Sequence, residues 1–166
     1  MGILIVDDSP DQQLLLKAVL NKAGHQDLLI ADSAASAYDH LGINQPQPNG
    51  QAPAIDLILM DFLMPGIDGV AATQRIKSLE NLRDIPVIVV TAKTALGDLQ
   101  AAFAAGAMDF IKALIGAGSD GWNADQLLGK IEDFGGFVRV RNLHHGLGAG
   151  AVWNGRIRHL AGGFAA

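Results

Sequence analysis

Short apolar runs alternate with helical segments over the first two-thirds of this chain, and this alternation constrains the fold more than any other feature. The apolar runs are Gly2–Val6, Leu28–Ala31, Asp56–Met60, Pro86–Val90 and Ala107–Ile111. Runs this short that are apolar throughout are typical of buried strands. Strands that bury both faces and are separated by helices indicate a parallel sheet that is covered on both sides. The predicted fold class is therefore a doubly wound, five-stranded α/β sandwich.

The helical segments between the strands carry recognisable start and stop signals. Ser9 is expected to cap the first helix, with Pro10 at its first position and Gly24 just beyond its end. The apolar residues at helical spacing in this segment are Leu14, Leu15, Ala18, Val19 and Ala23. Further helices are expected over residues 33–41, 70–79, 95–105 and 124–133.

Charge is divided unequally along the chain. Residues 1–133 hold 8 Lys and Arg against 17 Asp and Glu, a net charge of −9, whereas residues 134–166 hold four arginines and no acid. An acidic body does not attract nucleic acid by its overall field, so nucleic acid is not an expected partner. The absence of cysteine excludes disulfides and thiolate metal sites. No apolar run approaches the roughly 18 residues of a membrane span, and the expected location is the cytoplasm.

Polar side chains follow the predicted strands at the point where each strand ends. Asp7 and Asp8 follow the first strand, Asp61 the third and Thr91 the fourth, and Lys112 lies near the end of the fifth. Ligands bind open parallel sheets outside the carboxyl ends of the strands, where the strand order reverses. If the first strand lies between the second and the third, these side chains converge on one crevice.

Three carboxylates in one crevice require a cation. Two carboxylates about 4 Å apart repel each other by roughly 4 kcal/mol at an effective dielectric constant near 20. A set of oxygen ligands without His or Cys favours a hard ion, Mg²⁺ first. A magnesium ion, a hydroxyl group and an ammonium group around a carboxylate are the equipment of phosphoryl transfer. On this hypothesis Asp61 is the nucleophile and becomes an aspartyl phosphate.

Four segments together resemble the receiver domain of two-component response regulators. They are Ile3–Ser9 (ILIVDDS), Leu57–Gly69 (LILMDFLMPGIDG), Ile85–Ala92 (IPVIVVTA) and Ala105–Lys112 (AGAMDFIK). The motifs match in order and spacing, and the resemblance covers residues 2–112. It implies a flavodoxin-like receiver fold with strand order 2-1-3-4-5.

The resemblance also implies a reaction and a set of roles. A sensor histidine kinase or a phosphotransfer protein would donate a phosphoryl group to Asp61 with Mg²⁺ as the cofactor. Asp8 would bind the metal directly and Asp7 would help through water. Asp61 and the backbone carbonyl of Leu63 would complete the set. Thr91 would bind the phosphoryl group, and Phe110 would move with it as a switch residue. The family is a signalling module rather than an enzyme, with at most self-phosphorylation and self-dephosphorylation.

The region around Lys112 departs from the family pattern. In the family, an aromatic switch residue precedes the lysine by three positions and a proline follows it. Here Phe110 and Lys112 are two positions apart, and Ala113 replaces the proline. Either Asp109 occupies the switch position, or Phe110 does and Ala113 occupies the lysine position. We favour contact of Lys112 with the phosphoryl group, because a long lysine side chain can reach from a neighbouring position.

The domain assignment follows from these matches. Residues 1–133 form the expected receiver domain, with an atypical insertion over 113–123 and a last helix over about 124–133. Residues 134–166 form a Gly/Ala/Arg-rich extension or a truncated linker. The expected output is docking of the face formed by helix 95–105 and the fifth strand. That face would bind a second copy, a downstream protein or an output domain absent from this chain.

Two other function classes remain open at this stage. A degenerate receiver would act as a phosphorylation-independent protein-interaction module, and the altered region around Lys112 is the reason to consider that alternative. A phosphatase of the haloacid dehalogenase type shares the Asp, Thr and Lys constellation. That class needs a second Asp two residues after the nucleophile, where this chain has Leu63.

Overall fold

Strands and helices alternate along the chain, as the sequence predicts. The computed structural model describes residues 1–44, 55–91, 96–112 and 125–133, with Thr91 and Lys112 described by their backbone alone. The strands are β1 (Ile3–Val6), β2 (Leu28–Ala31), β3 (Leu57–Asp61), β4 (Val87–Thr91) and β5 (Asp109–Lys112). The helices are α1 (Pro10–Lys22), α2 (Ala34–His40), α3 (Gly69–Lys77), α4 (Leu96–Ala104) and α5 (125–133).

The five strands form one parallel sheet in the order β2-β1-β3-β4-β5. Strand β1 therefore lies between β2 and β3, which confirms the arrangement that a shared crevice requires. Val6 pairs with Met60 at the carboxyl ends of β1 and β3. The residues that follow this pair, Asp7 and Asp61, consequently leave neighbouring strands at the same edge of the sheet.

Two apolar layers cover the sheet, one on each face. On one face, Leu4, Val6, Ile58 and Met60 pack against residues of α2 and α3. On the other face, Ile3, Ile5, Leu57 and Leu59 pack against Leu16 and Leu20 of α1 and Leu127 and Ile131 of α5. Adjacent residues of one strand thus serve opposite layers, because successive side chains point to opposite faces. This double burial explains why the central strands β1, β3 and β4 are continuous apolar runs, whereas the edge strand β2 is only partly buried.

The buried face of α1 differs from the face that the sequence indicates. Leu14 is 68% exposed and Leu15 is 40% exposed, while the buried residues are Gln12, Leu16 and Leu20. Three consecutive leucines give no unique phase for a helix, so the apolar pattern alone could not choose the face. The observed phase lets Leu16 and Leu20 contact the sheet and directs the amide of Gln12 at Asp7.

Several of the predicted regions lie outside the described residues, namely the insertion 113–123, residue 124 and the extension 134–166. The last predicted helix is observed over residues 125–133, within one residue of the expected start. Gly106 follows α4 with φ 98°, a left-handed conformation suited to the end of a helix. None of the helices in the described ranges is long and apolar enough to cross a membrane.

Asp68 caps α3, and this accounts for the last carboxylate of the Leu57–Gly69 motif. Its Oδ1 atom accepts a 2.7 Å hydrogen bond from the backbone N–H of Ala71. We expect Asp68→Ala to lower the free energy of unfolding by about 1 kcal/mol, as measured by urea denaturation, because an N–H at the helix start loses its acceptor. Asp68→Asn retains an acceptor and should change stability by only a few tenths of a kcal/mol. Equal losses in both variants would contradict the capping role.

Candidate functional site

Asp7, Asp8 and Asp61 form an acidic cluster at the carboxyl edge of the sheet. One carboxylate oxygen from each lies within 4.8 Å of the others. Asp7 is buried, Asp61 is half-buried and Asp8 is exposed, so the cluster opens to solvent on one side. The structure therefore brings together the three acids that the sequence assigned to one crevice.

The position of Asp61 depends on the close approach of α3 to the end of β3. The backbone N–H of Gly69 donates a 3.1 Å hydrogen bond to the carbonyl oxygen of Phe62. A Cβ atom at position 69 would lie 2.0 Å from the carbonyl oxygen of Asp61. Only glycine fits at this contact, because any side chain would push α3 away from the strand end. The glycine of the motif thus serves the geometry beside Asp61.

Asp7 is held by donors from the start of α1. The backbone N–H of Ser9 donates to Asp7 Oδ1 at 2.8 Å, and the side-chain amide of Gln12 donates to Asp7 Oδ2. The amide of Gln13 donates to the backbone carbonyl of Asp7 at 2.6 Å. Sequence reasoning missed both glutamines, since it considered α1 only for its cap and its apolar residues. The sequence carried no clear signal for them, because the apolar pattern of α1 did not show which of its residues face the sheet.

Burial and mutual repulsion change the acidity of the cluster. Burial, followed by the charge of Asp7, raises the pKa of Asp61 to about 6, although hydrogen bonds from the backbone N–H groups of Leu63 and Phe62 act in the opposite direction. Burial also raises the pKa of Asp7, although the hydrogen bonds from Ser9 and Gln12 act in the opposite direction. Both upward pKa shifts show that a negatively charged carboxylate at this edge is unfavourable without a counter-charge.

A metal ion would supply that counter-charge, and the donor set fits one. The three carboxylates offer converging oxygen ligands, and hard divalent cations prefer oxygen. The half-buried position of Asp61 beside the exposed Asp8 leaves a route for an ion to enter from solvent. The cluster can therefore hold a metal ion beside a carboxylate that remains accessible.

Thr91 and Lys112 are the last residues of β4 and β5 and are paired in the sheet register. On the next strand, Asp61 is paired with Val90, the residue before Thr91. The backbone thus places Asp61, Thr91 and Lys112 at the ends of three consecutive strands. The contacts of the Thr91 and Lys112 side chains lie outside what the structure describes, and so does Ala113.

Phe110 and Asp109 are neighbours on β5 but contact different helices. Phe110 is half-buried and contacts Phe103 of α4 edge to face, with ring centroids 6.0 Å apart and planes at 80°. Asp109 instead forms an ion pair with Lys130 of α5 and accepts a 2.7 Å hydrogen bond from the N–H of Phe110. The sequence did not reveal the Asp109–Lys130 pair. Of these two residues, Phe110 is the one that packs beside α4.

Comparisons with known proteins agree on one family. A model of the response regulator receiver domain matches residues 3–115. Protein PilH of Pseudomonas aeruginosa is 37% identical over 110 residues, which cover 66% of this chain and 82% of that protein. The rice two-component response regulator ORR1 is 35% identical over 112 residues, which cover 66% of this chain and 47% of that protein. The chain thus spans about half the length of the rice relative.

A solved structure with a metal ion shares the fold. It is the receiver domain of a sensor histidine kinase from Pseudomonas aeruginosa, with a magnesium ion coordinated in the active site cleft. The two chains superpose with a TM-score of 0.63 at 26% identity, and the match covers 81% of this chain and 98% of that one. The similarity therefore extends over nearly the whole of that domain.

Proposed function

The chain belongs to the response regulator receiver domain family, and from this membership we propose that Asp61 accepts a phosphoryl group from a sensor histidine kinase or phosphotransfer protein. One observation carries the proposal. The carboxylate of Asp61 ends β3 within 4.8 Å of the carboxylates of Asp7 and Asp8, in a cluster that opens to solvent. A nucleophile needs this combination of a fixed position and an accessible side.

The transfer is a displacement at phosphorus. A carboxylate oxygen of Asp61 attacks the phosphorus atom, and the phosphorus–nitrogen bond of the donor phosphohistidine breaks. The imidazole leaves with the bonding electron pair and takes a proton from solvent. With a pKa of about 6, Asp61 is mostly ionised at pH 7 and available for attack.

Asp7, Asp8, Asp61 and the backbone carbonyl of Leu63 are the residues that would hold Mg²⁺. The oxygen-only donor set supports this assignment, and so does the magnesium ion in the cleft of the kinase receiver domain. When bound, Mg²⁺ neutralises charge on the transferring phosphoryl oxygens. The protein's own contribution is to fix the carboxylates at the strand ends and to keep one side of the cluster open.

Thr91 and Lys112 are proposed to bind the phosphoryl group once it is on Asp61. Their pairing at the ends of β4 and β5, beside the strand that carries Asp61, supports the assignment. A hydroxyl group donates to a phosphoryl oxygen, and an ammonium group neutralises its charge. Lys112 therefore takes the role of the family lysine despite its altered spacing from Phe110.

The output follows from a shift between two conformations. Phosphate favours the conformation that it binds better, and Thr91 and Phe110 are the proposed moving parts. Phe110 packs against Phe103, which is 47% exposed on α4. A change at Phe110 would thus alter the α4–β5 surface, where a second copy, a downstream protein or an output domain would dock. The proposal assigns the chain to the cytoplasm, where it would meet the histidine kinase and these docking partners.

The alternatives fit the observations less well. A phosphatase of the haloacid dehalogenase type requires an acid two residues after the nucleophile, and that residue is the exposed Leu63. A degenerate receiver has no need to keep three carboxylates converging on one point. Self-phosphorylation from small phosphodonors remains part of the proposal, as does self-dephosphorylation.

Intact mass spectrometry after incubation with acetyl phosphate and Mg²⁺ tests the proposal. We expect wild type to gain one phosphoryl group, which leaves the donor as its phosphorus–oxygen bond breaks and acetate departs. Asp61→Asn should gain none, because the amide lacks the nucleophilic oxygen. EDTA should suppress the modification of wild type by removing the metal.

Asp68→Asn is the matched control, since it removes a carboxylate from the same loop and keeps the cap of α3. It should be phosphorylated to the wild-type extent. Modification of Asp61→Asn at wild-type yield would show that another residue is the acceptor. A folded wild type that gains no phosphoryl group would contradict the proposed function itself.

A further inference from the structure

Gln12 is the polar member of an otherwise apolar buried stripe on α1, at the end of the helix nearest the acidic cluster. The buried residues of α1 are Gln12, Leu16 and Leu20, spaced four apart on one face. Contact with the sheet explains the leucines at positions 16 and 20. Contact with the sheet does not explain Gln12, whose side chain is only 6% exposed, because burying an amide costs free energy unless it forms hydrogen bonds. The polar residue at this position therefore needs a reason.

Asp7 supplies the hydrogen bond that Gln12 requires. The side-chain amide of Gln12 donates to Asp7 Oδ2, while the backbone N–H of Ser9 donates to Oδ1 at 2.8 Å. Each oxygen of the carboxylate thus has one donor from the start of α1. An ionised carboxylate offers about four acceptor positions, so about two remain directed elsewhere. The two donors fix the rotation of the carboxylate and hence the direction of those remaining positions.

We propose that Gln12 is a positioning residue for the metal ion of this site, acting through the carboxylate of Asp7. The inference rests on the proposed function, in which Asp7 helps to hold Mg²⁺. Metal sites depend on outer groups that orient the ligands, and the loss of such a group typically lowers metal affinity 10- to 100-fold. Among the residues that the structure describes, Gln12 is the side chain that donates to the carboxylate of Asp7, and the second donor, from Ser9, is a backbone N–H.

The test measures Mg²⁺ binding to the full chain by isothermal titration calorimetry. Gln12→Met keeps the length of the side chain and the buried stripe but removes the donor. We expect the dissociation constant for Mg²⁺ to rise about 10- to 100-fold. Leu14→Met is the control, because Leu14 lies on the same helix and is 68% exposed. It should change the dissociation constant by less than about threefold, since exposed substitutions away from a site have small effects.

A double-mutant cycle separates positioning from a general loss of structure. If Gln12 acts through the carboxylate of Asp7, Gln12→Met should have little further effect on affinity in an Asp7→Asn background. A similar loss in both backgrounds would overturn the proposal. Gln12→Asn provides a second variant that keeps the amide but shortens the side chain by one methylene group, and it should also weaken binding. Thermal unfolding in EDTA reports whether each variant is folded.

The outcomes distinguish this inference from the proposed function. Wild-type affinity in Gln12→Met would overturn the positioning role and leave the metal site of the proposed function intact. A folded wild type that binds no Mg²⁺ would overturn both. A loss of affinity in Gln12→Met that disappears in the Asp7→Asn background would support the positioning role.

Discussion

Gly69→Ala is expected to lower the free energy of unfolding by about 2–4 kcal/mol and to slow phosphorylation about 100-fold. The new Cβ atom would lie 2.0 Å from the carbonyl oxygen of Asp61, 2.9 Å from its carbonyl carbon and 3.1 Å from the Cα atom of Phe62. These are backbone atoms, so no side-chain rotation relieves the clash. Overpacking typically costs about 1–3 kcal/mol, and more where the neighbours cannot move.

The effect on phosphorylation follows from the same displacement. Either α3 or the end of β3 must shift to relieve the clash. A shift of the end of β3 would move Asp61 as well. A misplacement of about 1 Å at a reacting group costs about 100-fold in rate. The rate of acetyl phosphate labelling, followed by intact mass spectrometry, measures this loss, and urea denaturation measures the change in stability.

Gly129→Ala is the matched control for Gly69→Ala. Gly129 lies within α5, and a Cβ atom there would meet nothing within 4 Å. Alanine is a better helix former than glycine, so this variant should gain about 0.5–1 kcal/mol of stability and keep wild-type phosphorylation. If Gly69→Ala behaved like Gly129→Ala in both measurements, the close approach of α3 to β3 would be irrelevant to the site.

Removing the charge of Asp61 is expected to stabilise the metal-free protein at high pH. The pKa of Asp61 is raised from 3.8 to about 6 in the folded state. The folded state therefore binds more protons than the unfolded state between these values, and stability falls as pH rises from about 4 to 6. The full shift corresponds to about 3 kcal/mol, and solvent screening of the half-buried Asp61 lowers the expected effect to about 1–2 kcal/mol.

Urea denaturation of wild type and Asp61→Asn in EDTA, from pH 4 to pH 8, tests this expectation. The two proteins should be similar in stability at pH 4, where Asp61 is largely protonated in the folded state. At pH 8 the variant should be more stable by about 1–2 kcal/mol. Asp68→Asn, which removes an exposed carboxylate from the same loop, is measured in parallel as the control. A difference between wild type and Asp61→Asn that did not vary with pH would contradict the assigned shift.

Mg²⁺ should reverse the order of stability at pH 8. An ion that binds the folded state stabilises it by mass action, and wild type offers one more carboxylate than Asp61→Asn. Wild type should therefore gain more stability from added Mg²⁺ than the variant does. The unfavourable charge of the metal-free site is then the source of its preference for a cation.

The fold was predictable because its central strands, β1, β3 and β4, bury both faces. Continuous apolar runs such as Val87–Val90 have few alternatives to a covered parallel sheet, and the polar residues that end the runs mark the edge where a site forms. The order of the strands came from the family resemblance instead. No local pattern specifies which strands are neighbours, since that depends on contacts between distant segments.

The missed features depend on contacts that a linear pattern does not encode. The phase of α1 could not be chosen from Leu14, Leu15 and Leu16, because any of the three could have faced the sheet. The structure places Leu16 inward and thereby brings Gln12 to Asp7. The ion pair between Asp109 and Lys130 joins residues 21 positions apart, on β5 and α5. Such a pair becomes apparent only when the packing of α5 against the sheet is known.

The pairing of Val6 with Met60 has a consequence for protein engineering. Asp7 and Asp61 leave adjacent strands, whose spacing in any sheet is about 4.8 Å. The backbone distance between these two residues is therefore set by the sheet ladder rather than by the loops that follow. Changes in the loops after β1 and β3 should then leave this backbone distance unaltered, whereas the directions of the two carboxylates still depend on Gly69 and on the donors to Asp7 from Ser9 and Gln12. The spacing of the two residues and the orientation of their side chains can therefore be treated as separate problems in design.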